Sequence, residues 1–200
     1  AGPAVARNGG SPVLTGHRVI NLGVAAVGPE LCWLLGELGA GVIKIESSAH
    51  LDLLRRMTPE LTNPNTAFPF NDDGRGQKSV CLDLRQPRAR ELALRLCASA
   101  DVVVENYRGG VMQALGLDYP DVRRLRPDII YVSSQGYGRG GPLGEAPAFG
   151  PVNSAFAGAT WLFPNGGGAR FYPFALDDGA IGRLASALAT GLAPEERLKL

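Results

Sequence analysis

Apolar residues in this chain recur in two rhythms. Short runs rich in β-branched residues read as strands: "HRVINLGV" at 17–24, "GVIKIES" at 41–47, "KSVCLDL" at 78–84, "DVVVENY" at 101–107 and "DIIYVSSQGYG" at 128–138. Between them the apolar residues fall three and four apart. In "GPELCWLLGELGA" they are Leu31, Leu34, Leu35 and Leu38, with Pro29 near the start and Gly39 near the end, so a helix is expected there. "RQPRARELALRLCASA" at 85–100 is an amphipathic helix, and "GGVMQALGL" and "YPDVRRLRP" are short ones. "VNSAFAGATWLF" at 152–163 is helical, and a last helix runs from about Asp178 to Leu192. Residues 47–78, with Pro59, Pro64 and Pro69, read as irregular and polar.

Strands alternating with helices imply an α/β fold with a Rossmann-like, doubly wound, mostly parallel sheet. Ligands of such sheets bind beyond the carboxyl ends of the strands. That rule puts "LGVAAVGP", "ENYRGG" and "SSQGYGRGGP" on the candidate binding edge. By composition, 1–16 reads as a flexible leader, 17–192 as one α/β domain and 193–200 as a tail.

Composition removes several function classes. A formal net charge of +1 over 200 residues favours neither nucleic acid nor an anionic membrane as partner. No apolar run approaches the roughly 18 residues needed to cross a bilayer. Cys32, Cys81 and Cys97 all sit in apolar surroundings. Three thiols without metal-type spacing suit a reducing cytoplasm. His17 and His50 have no metal-type partners, so no metal is expected.

Local motifs carry little chemistry alone. "GYGRGGPLG" follows a strand but lacks the Gly-Lys-Ser/Thr ending of a phosphate loop. "LGVAAVGP" has two glycines, Gly23 and Gly28, where a dinucleotide fingerprint needs three. Arg75, Lys78, Arg108 and Arg139 stand in loops or at strand ends, where they would meet phosphates or only solvent. In "FYPFALDDGAIGRLASALATGL", Asp177 and Asp178 stand where a helix begins. A carboxylate there caps the helix, or it stays ionised beside the helix dipole and attacks as a nucleophile. Spacing leaves both readings open.

Taken together, these stretches resemble the class III CoA-transferases, the CaiB–BaiF or formyl-CoA transferase-like family. The resemblance covers about 17–192. It rests on "RVINLG…VGPELCWLLGELGAGVIKIE", on "KSVCLDL" followed by "ADVVVENY", and on "DIIYVSSQGYGRGGP", in that order. It implies the family's large α/β domain, without the second domain of longer members. It also implies an aspartate nucleophile four residues before a glycine, and Asp178 precedes Gly182 at that interval. The implied reaction moves CoA between an acyl-CoA donor and a carboxylic acid acceptor through a covalent aspartyl intermediate. CoA and acyl-CoA are then substrates. Arg75, Lys78, Asn106, Tyr107, Arg108, Gly136 and Tyr137 become candidates for holding them.

Some positions depart from the pattern. By register the family's common basic contacts to CoA phosphates fall on neutral Ser47, Ala114 and Gln135, with Arg75, Lys78 and Arg108 as substitutes. Ala26 stands where transferases often place a polar group. Phe149 stands where the racemase branch carries a histidine, which favours transfer over racemisation. A homo-oligomer, or a partner chain supplying the missing half, is expected. The alternatives are a degenerate, non-catalytic domain serving subunit contact or acyl-CoA sensing, and a remodelled acyl-CoA enzyme.

Overall fold

The computed structural model describes residues 12–57 and 63–157. Five short strands form its centre: β1 (Arg18–Asn21), β2 (Gly41–Glu46), β3 (Lys78–Cys81), β4 (Val102–Glu105) and β5 (Ile130–Ser133). All pair in parallel, in the order β3-β2-β1-β4-β5. The chain builds outward from β1 to one side, then crosses and builds to the other. The carboxyl ends of β1 and β4 therefore flank a topological switch point, where open α/β sheets bind ligands.

Six helices accompany the strands among the described residues: α1 (Val27–Glu37), α2 (Phe68–Asp73), α3 (Pro87–Ala98), α4 (Val111–Leu115), α5 (Tyr119–Leu125) and α6 (Gly150–Phe156). Alternation along the strands divides them between two faces. Ile20, Leu22, Ile45 and Val103 pack with Ala93, Cys97, Met112 and Val122 from α3, α4 and α5. Val19, Val42 and Val104 pack with Cys32 of α1. Each face is thus covered, as a parallel sheet requires. Fully burying one such aliphatic side chain is worth about 1.5–3 kcal/mol.

Two expectations are corrected. The stretch 47–78 is not wholly irregular, because it contains α2 and single 3-10 turns at Leu53–Arg55 and Pro64–Thr66. Pro69 starts α2 rather than breaking it, since the first turn needs no donor from a proline. Phe70 provides its buried anchor beside Leu54 and Ala67. Cys81 is exposed, unlike Cys32 and Cys97, because β3 is an edge strand. The helix expected at 152–163 begins at Gly150, and its part from 158 onward lies outside the described residues. So do the last helix, Asp177 and Asp178.

Candidate functional site

Side chains, not main chain alone, shape the loop after β1. The buried Asn21 amide oxygen accepts from Gly23 N–H at 2.9 Å. Asn106, one residue past β4, accepts from Val24 N–H and donates to Val24 C=O, both at 2.8 Å. The Asp52 carboxylate accepts from Ala25 N–H at 3.1 and 3.2 Å and from Leu54 N–H at 3.0 Å. Ala25 has φ +53, a left-handed conformation uncommon for alanine, and the Asp52 bonds hold it there. Gly23 is required because an added Cβ would stand 3.0 Å from Pro29 and 3.1 Å from the Asn106 oxygen.

Lys44 completes this network. It lies on the α1 face of β2, and its ammonium donates to Gly23 C=O at 2.7 Å and pairs with Asp52 at 3.2 Å. The two side chains are 5% and 4% exposed, so each charge depends on the other for solvation. Beside it, Glu46 is gripped by Arg55 and Ser79. Burial pushes the Glu46 carboxyl up, but these bonds outweigh it and hold the carboxyl below its ordinary value. The Arg55 guanidinium also stacks over the Phe70 ring, 3.4 Å from its centroid.

A second network lies across the switch point. Glu105, at the end of β4, is wholly buried. Its carboxylate accepts from the Ser133 hydroxyl in a very short bond, from Tyr107 N–H at 2.8 Å and from Arg139 at 3.3 Å. Arg139 also reaches Asp118 at 2.9 Å. Burial drives the Glu105 carboxyl above its usual range, and these donors recover only part of the cost. Gly109 N–H bonds Gly144 C=O at 3.2 Å, docking the glycine-rich loop beside the turn after β4. The three stretches expected on the binding edge therefore do meet.

Between the carboxyl ends of β1, β2 and β3 and the turn after β4 opens a cavity of about 230 Å³. Its apolar wall is Val24, Ile45, Leu82, Leu84, Tyr107 and Leu115. Its polar rim is Lys44, Glu46, Ser47, His50, Asp52, Asp83 and Arg85. Burial, with Asp52 and Glu105 nearby, pushes the Tyr107 phenol up to about 12, so it stays neutral.

Of the sequence candidates, Tyr107 lines this cavity and Asn106 braces its β1 wall. Arg108 is exposed just beyond. Arg75 pairs with Asp72 and lies over the Trp33 ring. Lys78 is exposed at the start of edge strand β3. Gly136 is exposed, and Tyr137 packs edge-on against Phe156, with ring centroids 5.0 Å apart. None of these last five lines the cavity. The residues missed were Lys44, His50, Asp52 and Arg85. The available signal was a lysine inside the apolar strand "VIKIE", which calls for a buried acid partner.

Among the described residues, no group of three or more His, Cys, Asp or Glu could hold a metal ion, and no helix is long and apolar enough to cross a membrane.

The sequence profile of CoA-transferase family III matches residues 14–195. The chain belongs to that family. A probable fatty acyl-CoA transferase of Mycobacterium tuberculosis is 38% identical over 187 residues, covering 92% of this chain and 47% of the relative. The alpha subunit of a succinyl-CoA–L-malate CoA-transferase from Chloroflexus aurantiacus is 36% identical over 74% of this chain and 35% of its own length. A CaiB/BaiF-family crystal structure from Brucella suis superposes with a TM-score of 0.75 at 31% identity, over 90% of this chain and 50% of that one. The chain thus spans half or less of the length of these relatives, and its sheet is the class III CoA-transferase large-domain fold.

Proposed function

We propose that this chain is the CoA-handling portion of a family III CoA-transferase, with Asp178 as nucleophile. The observation that carries the reading is the family match over 14–195 on a sheet whose cavity opens at its carboxyl edge. The cavity is smaller than the roughly 300–1,000 Å³ that encloses a drug-sized ligand, so it would take one part of a long thioester. Its apolar wall and Tyr107 would receive an uncharged segment, and its polar rim a charged one.

In the proposed reaction the Asp178 carboxylate attacks the thioester carbonyl of acyl-CoA. A mixed anhydride forms and CoA leaves as thiolate. The thiolate attacks the aspartyl carbonyl, giving an aspartyl-CoA thioester and releasing the donor acid. The acceptor carboxylate attacks that thioester, and the thiolate released then takes the acceptor acyl group. Free aspartate is regenerated. Two easier exchanges replace one hard one. One backbone source of oxyanion stabilisation is already committed: the N–H groups of residues 23–25 are bonded to side chains. Donors for the developing charge would come from elsewhere.

A second copy of the chain, or a partner chain, would complete the site. In support, relatives include both an alpha and a beta subunit of one Chloroflexus transferase, at 36% and 32% identity.

The test is exchange of labelled free acid, or labelled CoA, into short acyl-CoA thioesters. Exchange is expected with the wild type and is expected to vanish in Asp178→Ala. Undiminished exchange in that variant would remove Asp178 from the mechanism. A folded wild type without exchange, alone or with a candidate partner, would instead favour the non-catalytic reading.

A further inference from the structure

One guanidinium stands between the glycine-rich loop and two carboxylates. Arg139 reaches Glu105 at 3.3 Å and Asp118 at 2.9 Å through the same nitrogen, Nη2. Both acids are buried, whereas the Arg139 side chain is 36% exposed. The acids belong to the scaffold: Glu105 ends β4, and Asp118 caps α5 in a reciprocal box with Asp121. Arg139 belongs to the loop. It stands between Gly138 at φ +72 and Gly140 at φ +83, and nothing lies within 4 Å of where a Cβ would stand at either. Glycine passes readily through such angles, so the backbone on each side of Arg139 can swivel. Elsewhere the loop is held to the turn after β4 by the bond from Gly109 N–H to Gly144 C=O.

Two buried acids against one cation leave the cluster with one negative charge, and a single proton cancels it. The other groups facing Glu105 are Ser133 and Tyr131 on β5 and Tyr107 after β4. Burial pushes both phenols up, so they stay neutral. Asp118 and Arg139 are thus the charges that Glu105 meets. The Ser133 hydroxyl and Tyr107 N–H belong to the sheet and its turn, and they stay with Glu105 when the loop moves. Losing Arg139 therefore takes a stabilising charge from a carboxylate that remains buried, and strengthens its hold on a proton. We propose that Glu105, Asp118 and Arg139 form a proton-operated latch for the glycine-rich loop. With Glu105 ionised, the loop is docked on both acids. With Glu105 protonated, Arg139 keeps Asp118 alone and the loop swings out more often. The undocked state binds this proton more tightly than the docked one, so acid favours undocking. Burial already drives the Glu105 carboxyl above its usual range, so uptake needs milder acid than an exposed glutamate would. The loop lies on the carboxyl edge of the sheet, and the latch sets how open that edge is. None of this depends on the CoA-transferase reading.

The test is amide hydrogen exchange of the chain from about pH 8 to about pH 5, each rate divided by that of an unstructured peptide at the same pH. In the wild type, exchange within 135–145 should speed up about tenfold toward acid, the size of one charge-assisted hydrogen bond, while 22–26 stays constant. Glu105→Gln, which cannot ionise, should show the fast loop throughout the range. Asp118→Asn leaves Arg139 to Glu105 alone and removes the repulsion between the acids, so the rise should move to lower pH. A wild-type loop rate independent of pH overturns the latch. So does a loop that slows in acid, because undocking would then hydrate Glu105 and weaken its hold on the proton. Parallel acceleration at 22–26 overturns it as well, since the whole fold would be opening. Wild-type pH dependence in Glu105→Gln overturns it too, because the proton would then bind elsewhere. If Glu105→Gln does not fold, Asp118→Asn decides: a rise at the wild-type pH overturns the coupling.

Discussion

The two sides of the switch point are built differently. On the β1–β2 side, three successive backbone N–H groups are bonded to Asn21, Asn106 and Asp52, and Lys44 closes the circuit with both its partners buried. On the β5 side, the glycine-rich loop is tied by one guanidinium shared between Glu105 and Asp118, and by the Gly109–Gly144 backbone bond. Buried oxygens of Gln135, Asn153 and Ser154 lack hydrogen-bond partners there. One wall of the site is preorganised by redundant bonds. The other hangs on few, and regions with few anchoring bonds open at lower free energy.

The sharpest way to break this contrast is Lys44→Met. It strands the Asp52 charge in a buried position and should cost about 3–5 kcal/mol, read as a lowered urea midpoint at unchanged slope. A loss below about 1 kcal/mol would mean the β1–β2 side is no more tied than its counterpart. Arg139→Met should cost less, about 2 kcal/mol, because Glu105 can escape by taking a proton. Burial already raises its carboxyl. The penalty should therefore shrink as pH falls, and amide exchange should speed up within 135–145 but not within 22–26.

Asp73→Asn works in the other direction. Burial first, then repulsion from Glu30, Asp72 and Asp52, raises the Asp73 carboxyl from the ordinary 3.8 to about 6. The folded state thus holds this proton more tightly than the unfolded chain, and stability is lost as pH rises from about 4 through about 6. With half-exposure screening the effect, the variant should be about 1 kcal/mol more stable at pH 8 and indistinguishable near pH 4. A gain that persists at pH 4 would assign the effect to something other than charge. Smallest is Arg88→Ala. It removes an exposed i,i+3 pair with Glu91 and should change stability by less than about 0.5 kcal/mol. It serves as the baseline for the other three.

The strands and their parallel pairing were legible because the inner strands are buried on both faces, and the runs "VIKIE" and "DVVVE" show it plainly. The short helix α2 was not, because Pro69 and the polar "NDD" conceal a single anchor, Phe70. The exposure of Cys81 follows from strand order, which no local pattern encodes. Loops expected on the binding edge were found together because parallel strands all point their carboxyl ends one way. The cavity residues were hidden for a different reason. Lys44 and Asp52 are partners across a loop, and Asn106 meets Val24 across 82 residues of sequence. The positively charged candidates were chosen by proximity to strand ends, but a strand has two ends and an edge, and Lys78 stands at the beginning of its own.

Asn106 has a consequence of another kind. Its side-chain amide meets Val24 through one donor and one acceptor, as a neighbouring peptide group would. In effect a side chain stands in for a missing residue of sheet. That restricts the alphabet at position 106. Aspartate supplies two acceptors and no donor, leucine has the shape without the polarity, and glutamine carries the right group one methylene too far. Of the twenty residues, only asparagine completes both bonds at this reach.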